Sequence, residues 1–324
     1  MPESANRRLA ELLEPLVTQN GFSPTAVHGL EFMRAMESSE RHPIVYSPRI
    51  VIVARGSKCV WLGDESYVYD ANNYLVLSAP MPMECATTAS EEEPLLGLVI
   101  SIDPIMVGEL LLEMGDLPGA EPAKCVSSSA LTEDVIDAAE RLARALASPL
   151  DARVLGPGIV REIIYRVLRS ENGDVLRLAT TNASRFGHIA RVLRRIHEEY
   201  ASELDVTSLA REANMGTSTF HHAFREVTAT SPVQYVKQVR LHRARTLLAA
   251  QGASAQDAAR RVGYASASQF SREYRRMFGV SPAADRAAVT AQRGASLGPR
   301  EHPAQIARAQ GGLDARQQLL GVLG

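Results

Sequence analysis

The sequence predicts an α+β, multidomain chain, with a small N-terminal β-barrel or sandwich flanked by helices and an all-α C-terminal domain. Three observations carry this. Short β-branched and aromatic runs between Pro43 and Asp103 are divided by turn residues. A helical pattern beyond residue 185 repeats itself at an offset of 50. Charge also divides: the net −2 of the 324-residue chain resolves into −11 over 1–184, +7 over 185–286 and +2 over 287–324. A basic block beside an acidic one implies that one part alone meets a polyanion.

Composition narrows the function classes. A hydrophobic content of 45% supports ordinary globular cores. No apolar run reaches the ~18 residues of a membrane span. The segment Met1 to Leu13 carries Glu3, Arg7, Arg8 and Glu11 and lacks the apolar core of a secretory signal. The expectation is a soluble cytoplasmic protein with no membrane partner. Cys59, Cys85 and Cys125 are an odd, widely spaced set, which argues against a disulfide framework and against zinc spacing. His221 and His222 are adjacent, so they point about 100° apart on a helix and do not jointly clamp a metal.

The N-terminal elements follow in order. Residues 1–40 are expected to be helical, with Leu9, Leu12, Leu13, Leu16 and Val17 on one face. Strands are expected at Ile50–Val53, Cys59–Leu62, Tyr67–Tyr69, Tyr74–Leu77 and Leu95–Ile102. Arg55-Gly56, Gly63-Asp64 and Asp70–Asn73 supply the turns. Helices return at Pro104–Met114, Thr132–Ala147 and near Pro157–Arg169. In the last, Ile159, Ile163, Ile164 and Val167 make a stripe too apolar for water, expected to pack partly on a second subunit. Gly173–Ser184 is a linker candidate, and 287–324, rich in Ala, Gly, Gln and Arg, is expected to be a flexible tail.

The repeat carries most of the function. Ser218–Arg225 aligns with Ser268–Arg275, and Ser231-Pro232 with Ser281-Pro282, at an offset of 50, whereas Leu209-Ala210 aligns with Ala258-Ala259 at 49. Each unit has a short helix with a small residue (Ala210, Ala259) where a partner crosses closely. A tight turn follows, Asn214-Met215-Gly216 or Gly263-Tyr264-Ala265. Thr217 and Ser266 are the candidate caps of the next helix. That helix buries Phe220 and Phe224, or Phe270 and Tyr274, and leaves its other face free for a major groove. Between the units, Pro232–Ala250 reads as one long helix. It would set the two reading heads about one turn of DNA, ~34 Å, apart.

Residues 185–286 resemble the AraC-type DNA-binding domain. Gly263-Tyr264, Ser268–Arg272 and Phe278–Pro282 carry the resemblance. It implies that Ser218, Thr219, His221 and His222 face outward on the first reading helix, and Ala267, Ser268, Gln269 and Arg272 on the second. An Arg pairs with guanine and a Gln with adenine. Residues 23–180 resemble the N-terminal domain of one subset of these regulators, through Tyr46–Pro48, Arg55–Lys58, Leu62–Asp64, Tyr69-Asp70, Tyr74–Val76 and Gly158–Arg166. That resemblance implies a cupin-like β-barrel followed by helices that dimerise.

Metal-binding cupins supply several histidines and a carboxylate, yet only His28 and His42 lie in or near the strand region, so no metal, cofactor or catalytic set is expected. Tyr46, Arg55, Trp61 and Tyr69 are the candidates for binding a small effector. Cys59 follows Lys58, and a nearby cation lowers a thiol pKa. Neighbours on a strand face opposite sides, however, so inert cysteines are preferred. The reading is therefore three-part: a cupin-like sensing and dimerisation domain over 1–180, a double helix-turn-helix domain over 185–286, and the tail. The expected partners are double-stranded promoter DNA, a small-molecule effector, a second copy of the chain and RNA polymerase, with activation as the outcome. The rivals are a barrel enzyme with an autoregulatory DNA-binding domain, and a dimeric regulator that senses no ligand.

Overall fold

In a computed structural model, the structure describes residues 2–115, 125–170, 173–180 and 185–287. The N-terminal part is one curled antiparallel sheet. Its strands are β1 (Gly21–Pro24), β2 (Leu30–Ala35), β3 (Ser39–Tyr46), β4 (Arg49–Arg55), β5 (Ser57–Leu62), β6 (Glu65–Asp70), β7 (Asn73–Leu77), β8 (Met81–Thr88), β9 (Leu95–Ser101) and β10 (Val126–Ala130). The order is β1-β2-β9-β4-β7-β6-β5-β8-β3, with β10 beside β7. Among the described residues β1 and β3 do not pair, so the expected barrel is a half-barrel with an open seam.

Helices cover it: α1 (Pro2–Leu13), α2 (Pro104–Met114), α3 (Glu133–Leu146), α4 (Pro149–Val154), α5 (Gly156–Arg169) and α6 (Gly173–Thr180). Two expectations need correction. The helical reading of 1–40 holds only for α1, because β1, β2 and the first two residues of β3 lie within 21–40. The apolar stripe behind that reading ends at Val17; beyond it, Leu30, Phe32 and Met33 are buried in a strand between β1 and β9. The linker candidate begins as α6, whose Val175 and Leu176 are buried against the N-terminal core. The rest of it, 181–184, and the tail from 288 onward lie outside the described residues.

The strand sequences explain the layering. β4, β7 and β9 are runs of apolar residues without polar alternation, the pattern of strands buried on both faces. One face of β4 (Ile50, Ile52, Ala54), β7 (Tyr74, Val76) and β9 (Leu96, Leu98, Ile100) packs with α1, α2, α3, α5 and α6. The other face, with Val51, Val53, Leu75, Leu77, Leu95 and Val99, belongs to a second cluster. That second cluster runs without a break into the C-terminal helices. Those are α7 (Arg185–Glu199), α8 (Val206–Glu212), α9 (Thr217–Thr228), α10 (Pro232–Gln251), α11 (Ala255–Arg261) and α12 (Ala267–Phe278), followed by a helical turn over 282–287. A third, separate cluster holds α11, α12 and the second half of α10.

The α5 stripe is the main correction to the expected dimer surface. Ile163, Ile164 and Val167 are at most 1% exposed and pack inside their own subunit, while Ile159 is half-buried. The most exposed large apolar side chains lie instead on α2 (Ile105, Leu112) and on or beside α4 (Leu150, Val154, Leu155), with Phe22, Val68, Val233 and Val280 exposed elsewhere.

Candidate nucleic-acid interface

Each helix-turn-helix unit is built from local signals. Asp205 caps α8 by accepting from the backbone N–H of Ser208 at 3.0 Å, and Ser254 caps α11 by accepting from Asp257 N–H at 3.1 Å. Ser231 caps α10 through Gln234 N–H. Such caps satisfy amide donors that helix geometry leaves without partners. Of the two caps expected for the reading helices, Ser266 accepts from Gln269 N–H at 3.3 Å. Thr217 does not cap: it is the first helical residue of α9, and Gly216 is the N-cap, without a side-chain bond.

The turns differ in how they are enforced. In the first, Asn214 takes the left-handed conformation at φ 53°. In the second, Gly263 takes φ 84°, and a Cβ there would lie 2.4 Å from the Ala201 carbonyl oxygen. Arg240 of α10 closes this corner by donating to the carbonyls of Tyr200, Ser202 and Gly263 at 2.7, 2.8 and 3.1 Å. One guanidinium thus ties the end of α7 to the second turn.

Behind the reading surfaces sit the aromatic pairs. Phe220, Phe224, Phe270 and Tyr274 are fully buried, with ring centroids 5.4 Å apart in the first pair and 5.5 Å in the second. In front, Ser218, Thr219, His221, His222, Ala267, Ser268, Gln269 and Arg272 are all exposed. The structure therefore gathers the sequence-predicted readers into two quartets, one on α9 and one on α12. Arg272, Arg275 and Arg276 have no ion pair among the described residues.

A group that the sequence did not single out stands beside the second quartet. Glu273 accepts from Lys237 Nζ at 2.7 Å, from the Tyr264 hydroxyl at 2.7 Å and from Gln269 Nε2 at 3.2 Å. Burial pushes the Glu273 carboxyl up, but the bonds from Lys237, Tyr264 and Gln269 outweigh it and hold it below the ordinary value. No local pattern flags this set, because Lys237 lies on α10, far from Glu273 in sequence.

The first unit is docked on the half-barrel. The buried Tyr235 hydroxyl donates to the Pro80 carbonyl and also contacts His197 Nε2 at 2.9 Å. Cys125 Sγ lies 3.7 Å from the Val227 carbonyl oxygen. Ala229, the left-handed C-cap of α9, sits against Gly63, where an added Cβ would lie 2.9 Å from that of Ala229. Two clefts follow the seam between the half-barrel and the C-terminal helices. One of about 390 Å³ is lined by Trp61, Gly63, Glu84, Thr228, Gln238 and Arg276, among others. Another of about 510 Å³ is lined by His42, His197, His242, Arg243 and Arg245, among others. Burial lowers His197 to about 4 and His242 to about 3.

The expected effector residues do not form one site. Tyr46 and Tyr69 are buried in the core, with the Tyr46 hydroxyl donating to Cys85 Sγ at 3.4 Å. Trp61 lines a seam cleft with Arg41 stacked 4.6 Å above it. Arg55 instead pairs with Glu14 at 2.9 Å. Lys58 donates to Thr87, and burial pushes the Cys59 thiol up more than the nearby Arg41 charge and the Tyr67 backbone bond lower it. No cluster of three metal-binding side chains occurs among the described residues, nor any helix long and apolar enough to cross a membrane.

Comparison with known proteins agrees with this geometry. Residues 26–175 match the family model of the AraC-type transcriptional regulator N-terminus, and residues 209–288 match a helix-turn-helix domain model. The Msm operon regulatory protein of Streptococcus mutans is 30% identical over 121 residues, which is 37% of this chain and 44% of that protein. The HTH-type transcriptional regulator ExsA of Pseudomonas aeruginosa is 29% identical over 127 residues, 39% of this chain and 45% of that one. The chain thus spans less than half the length of these relatives. Apo ToxT from Vibrio cholerae shares the fold at 13% identity, with a TM-score of 0.54 over 82% of this chain and 98% of that one. The match over residues 26–175 and the helix-turn-helix match over 209–288 make this chain similar to AraC-type transcriptional regulators in both of its parts, and ToxT shares its fold.

Proposed function

We propose that the chain is a sequence-specific regulator of transcription that binds double-stranded promoter DNA through both helix-turn-helix units. One observation carries this reading. Two repeated helices each present four outward side chains to solvent over a fully buried aromatic pair, on the segment that holds the +7 charge. That is what major-groove insertion with phosphate anchoring requires. Selection of bound sequences from a random pool by the full-length protein tests it. Two half-sites about one turn, ~34 Å, apart are expected. Recovery of no consensus would refute it.

The same reading assigns activation, contact with RNA polymerase and dimerisation to the molecule. For the dimer, the exposed apolar residues of α2 and α4 are the surface, in place of the buried α5 stripe. Sedimentation of Leu112→Glu/Val154→Glu against the parent chain tests this. A dimer that survives the double change would remove the assignment.

The seam supports the effector reading. A ligand can shift a two-state equilibrium only through a differential affinity for the two states. The clefts lie where the half-barrel meets α9, α10 and α12, so an occupant there touches both parts at once. Candidate metabolites that raise the melting temperature of the parent chain should fail to do so in Trp61→Ala and Arg243→Ala if they bind there.

A further inference from the structure

We infer that Glu273 is a specificity-determining positioning residue, which fixes the side-chain amide of Gln269 in one of its two orientations. The inference rests on the DNA-binding reading above. A glutamine amide is ambiguous: rotated one way it offers its carbonyl oxygen to a base, and flipped it offers its NH2 group. An unconstrained glutamine can therefore serve bases of opposite polarity. Here Gln269 Nε2 donates to Glu273 Oε1 at 3.2 Å. The flipped amide would set the Gln269 carbonyl oxygen against an ionised carboxylate, acceptor against acceptor.

The anchor itself is built not to move. The Glu273 side chain is only 15% exposed, and Lys237 of α10 lies 2.7 Å from the same oxygen. Its other oxygen accepts from Tyr264, a residue of the second turn. Held by two groups from elsewhere in the fold, the carboxylate stays charged and accepts only. It is not free to read a base, because both its oxygens are occupied.

Gln269 is exposed on the reading face of α12. With one N–H directed to Glu273, it presents Oε1 and its remaining N–H. That edge matches a base carrying an exocyclic amine in the major groove, with adenine, whose N6 donates and N7 accepts, the best fit. Guanine and thymine present O6 and O4 at that place, and both would oppose the Gln269 carbonyl oxygen.

The test uses the full-length protein and operators derived by selection. Gln269→Ala first locates the base pair under position 269, as the one whose preference relaxes. At that pair the parent chain should favour adenine over guanine by on the order of tenfold or more. In Glu273→Gln, the new amide can accept or donate, so both orientations of Gln269 are permitted, and the ratio should fall below about threefold. Binding to scrambled DNA should not weaken, since a carboxylate already occupied by Lys237, Tyr264 and Gln269 offers no donor to a phosphate. In the Gln269→Ala background, Glu273→Gln should change the base preference no further. A purely structural role would lower all affinities together and leave the ratio intact, and that outcome overturns the inference. So does a parent preference for guanine or thymine at that pair. If Glu273→Gln melts early, nitrogen-15 NMR of the parent chain decides. One Gln269 side-chain amide proton, assigned by its loss in Gln269→Ala, should be shifted by hydrogen bonding and should move in Glu273→Gln. Two solvent-like protons overturn the inference. Absence of any selected site would fail the DNA-binding reading itself, which is a separate result.

Discussion

At the scale of single residues, side chains two apart on α12 do opposite work. Arg272 is exposed and unpaired among the described residues, whereas Phe270 is fully buried against Tyr264 and Tyr274. Arg272→Ala should cost about 1–3 kcal/mol of specific binding and relax preference at one or two base pairs. Phe270→Ala should instead cost about 3–5 kcal/mol of stability, through lost burial and the cavity left behind. Denaturant melts beside binding to a selected and a scrambled site separate the two. Equal loss of both affinities in Arg272→Ala would show that it anchors phosphate. Two histidines add a pH dependence. His197 is lowered to about 4 and His242 to about 3, from an ordinary 6.5. The unfolded chain therefore takes up protons first as the pH falls. Their contribution is complete above about pH 6.5 and is lost below it, by up to about 1.4 kcal/mol per pH unit for each ring. His242→Gln should flatten the fall in unfolding free energy between pH 7 and pH 5. An unchanged slope would mean that the ring charges inside the fold.

At the scale of elements, packing decides what a pattern means. The apolar stripe of α5 looks like an interface in sequence, yet Ile163 and Val167 are closed off by α3, β-strand side chains and α6. Ile163→Ala should destabilise the chain by about 2–5 kcal/mol, as a buried large-to-small change does. Its oligomeric state should stay the same at temperatures where it remains folded. Loss of the dimer without loss of stability, measured by sedimentation and thermal melting, would restore the interface reading. The two turns carry a related contrast. Both place a residue at positive φ, but only the second brings a carbonyl within 2.4 Å of where a Cβ would stand. Gly263→Ala therefore disturbs α11, α12 and the Arg240 clamp together. Asn214, an asparagine in the left-handed region, is sterically ordinary there.

At the scale of the whole molecule, the half-barrel and the first reading unit share one hydrophobic cluster, while the second unit keeps its own. The two heads are therefore held differently. Tyr235→Phe deletes the hydroxyl bond to Pro80 and leaves that buried carbonyl unsatisfied, at roughly 1–3 kcal/mol. It should loosen the first head from the barrel and leave the α11–α12 core unaffected. Hydrogen exchange resolved along the chain measures this, with faster exchange in α9 and α10 as the expected outcome. Uniform acceleration through α12 would mean that the heads move as one. Charge acts at this scale too. Binding of the full chain to DNA should weaken linearly in log salt, with a slope near −0.9 per phosphate neutralised. A flat salt response would remove the role assigned to the +7 segment.

The sequence by itself determined the α+β division, most strand and helix positions after residue 43, and which faces of α9 and α12 point outward. It could do so because turn residues, caps and repeated aromatic pairs are local features written at fixed spacing. The eight outward residues on α9 and α12 were legible for the same reason: helical periodicity assigns a face as soon as the buried pair is known. Only the tertiary structure decided what required partners distant in the chain. The strands within 21–40 emerge because β9 and β8 offer edges, and a short mixed segment carries no mark of its neighbour. Burial of the α5 stripe, the scattering of Tyr46, Arg55 and Trp61, and the Lys237–Glu273–Gln269 set all depend on which elements cross. The unbroken apolar runs of β4, β7 and β9 stated that both faces of the sheet are covered. They could not state that part of that cover is a helix-turn-helix unit, because hydrophobic burial is non-directional and records only that water is excluded.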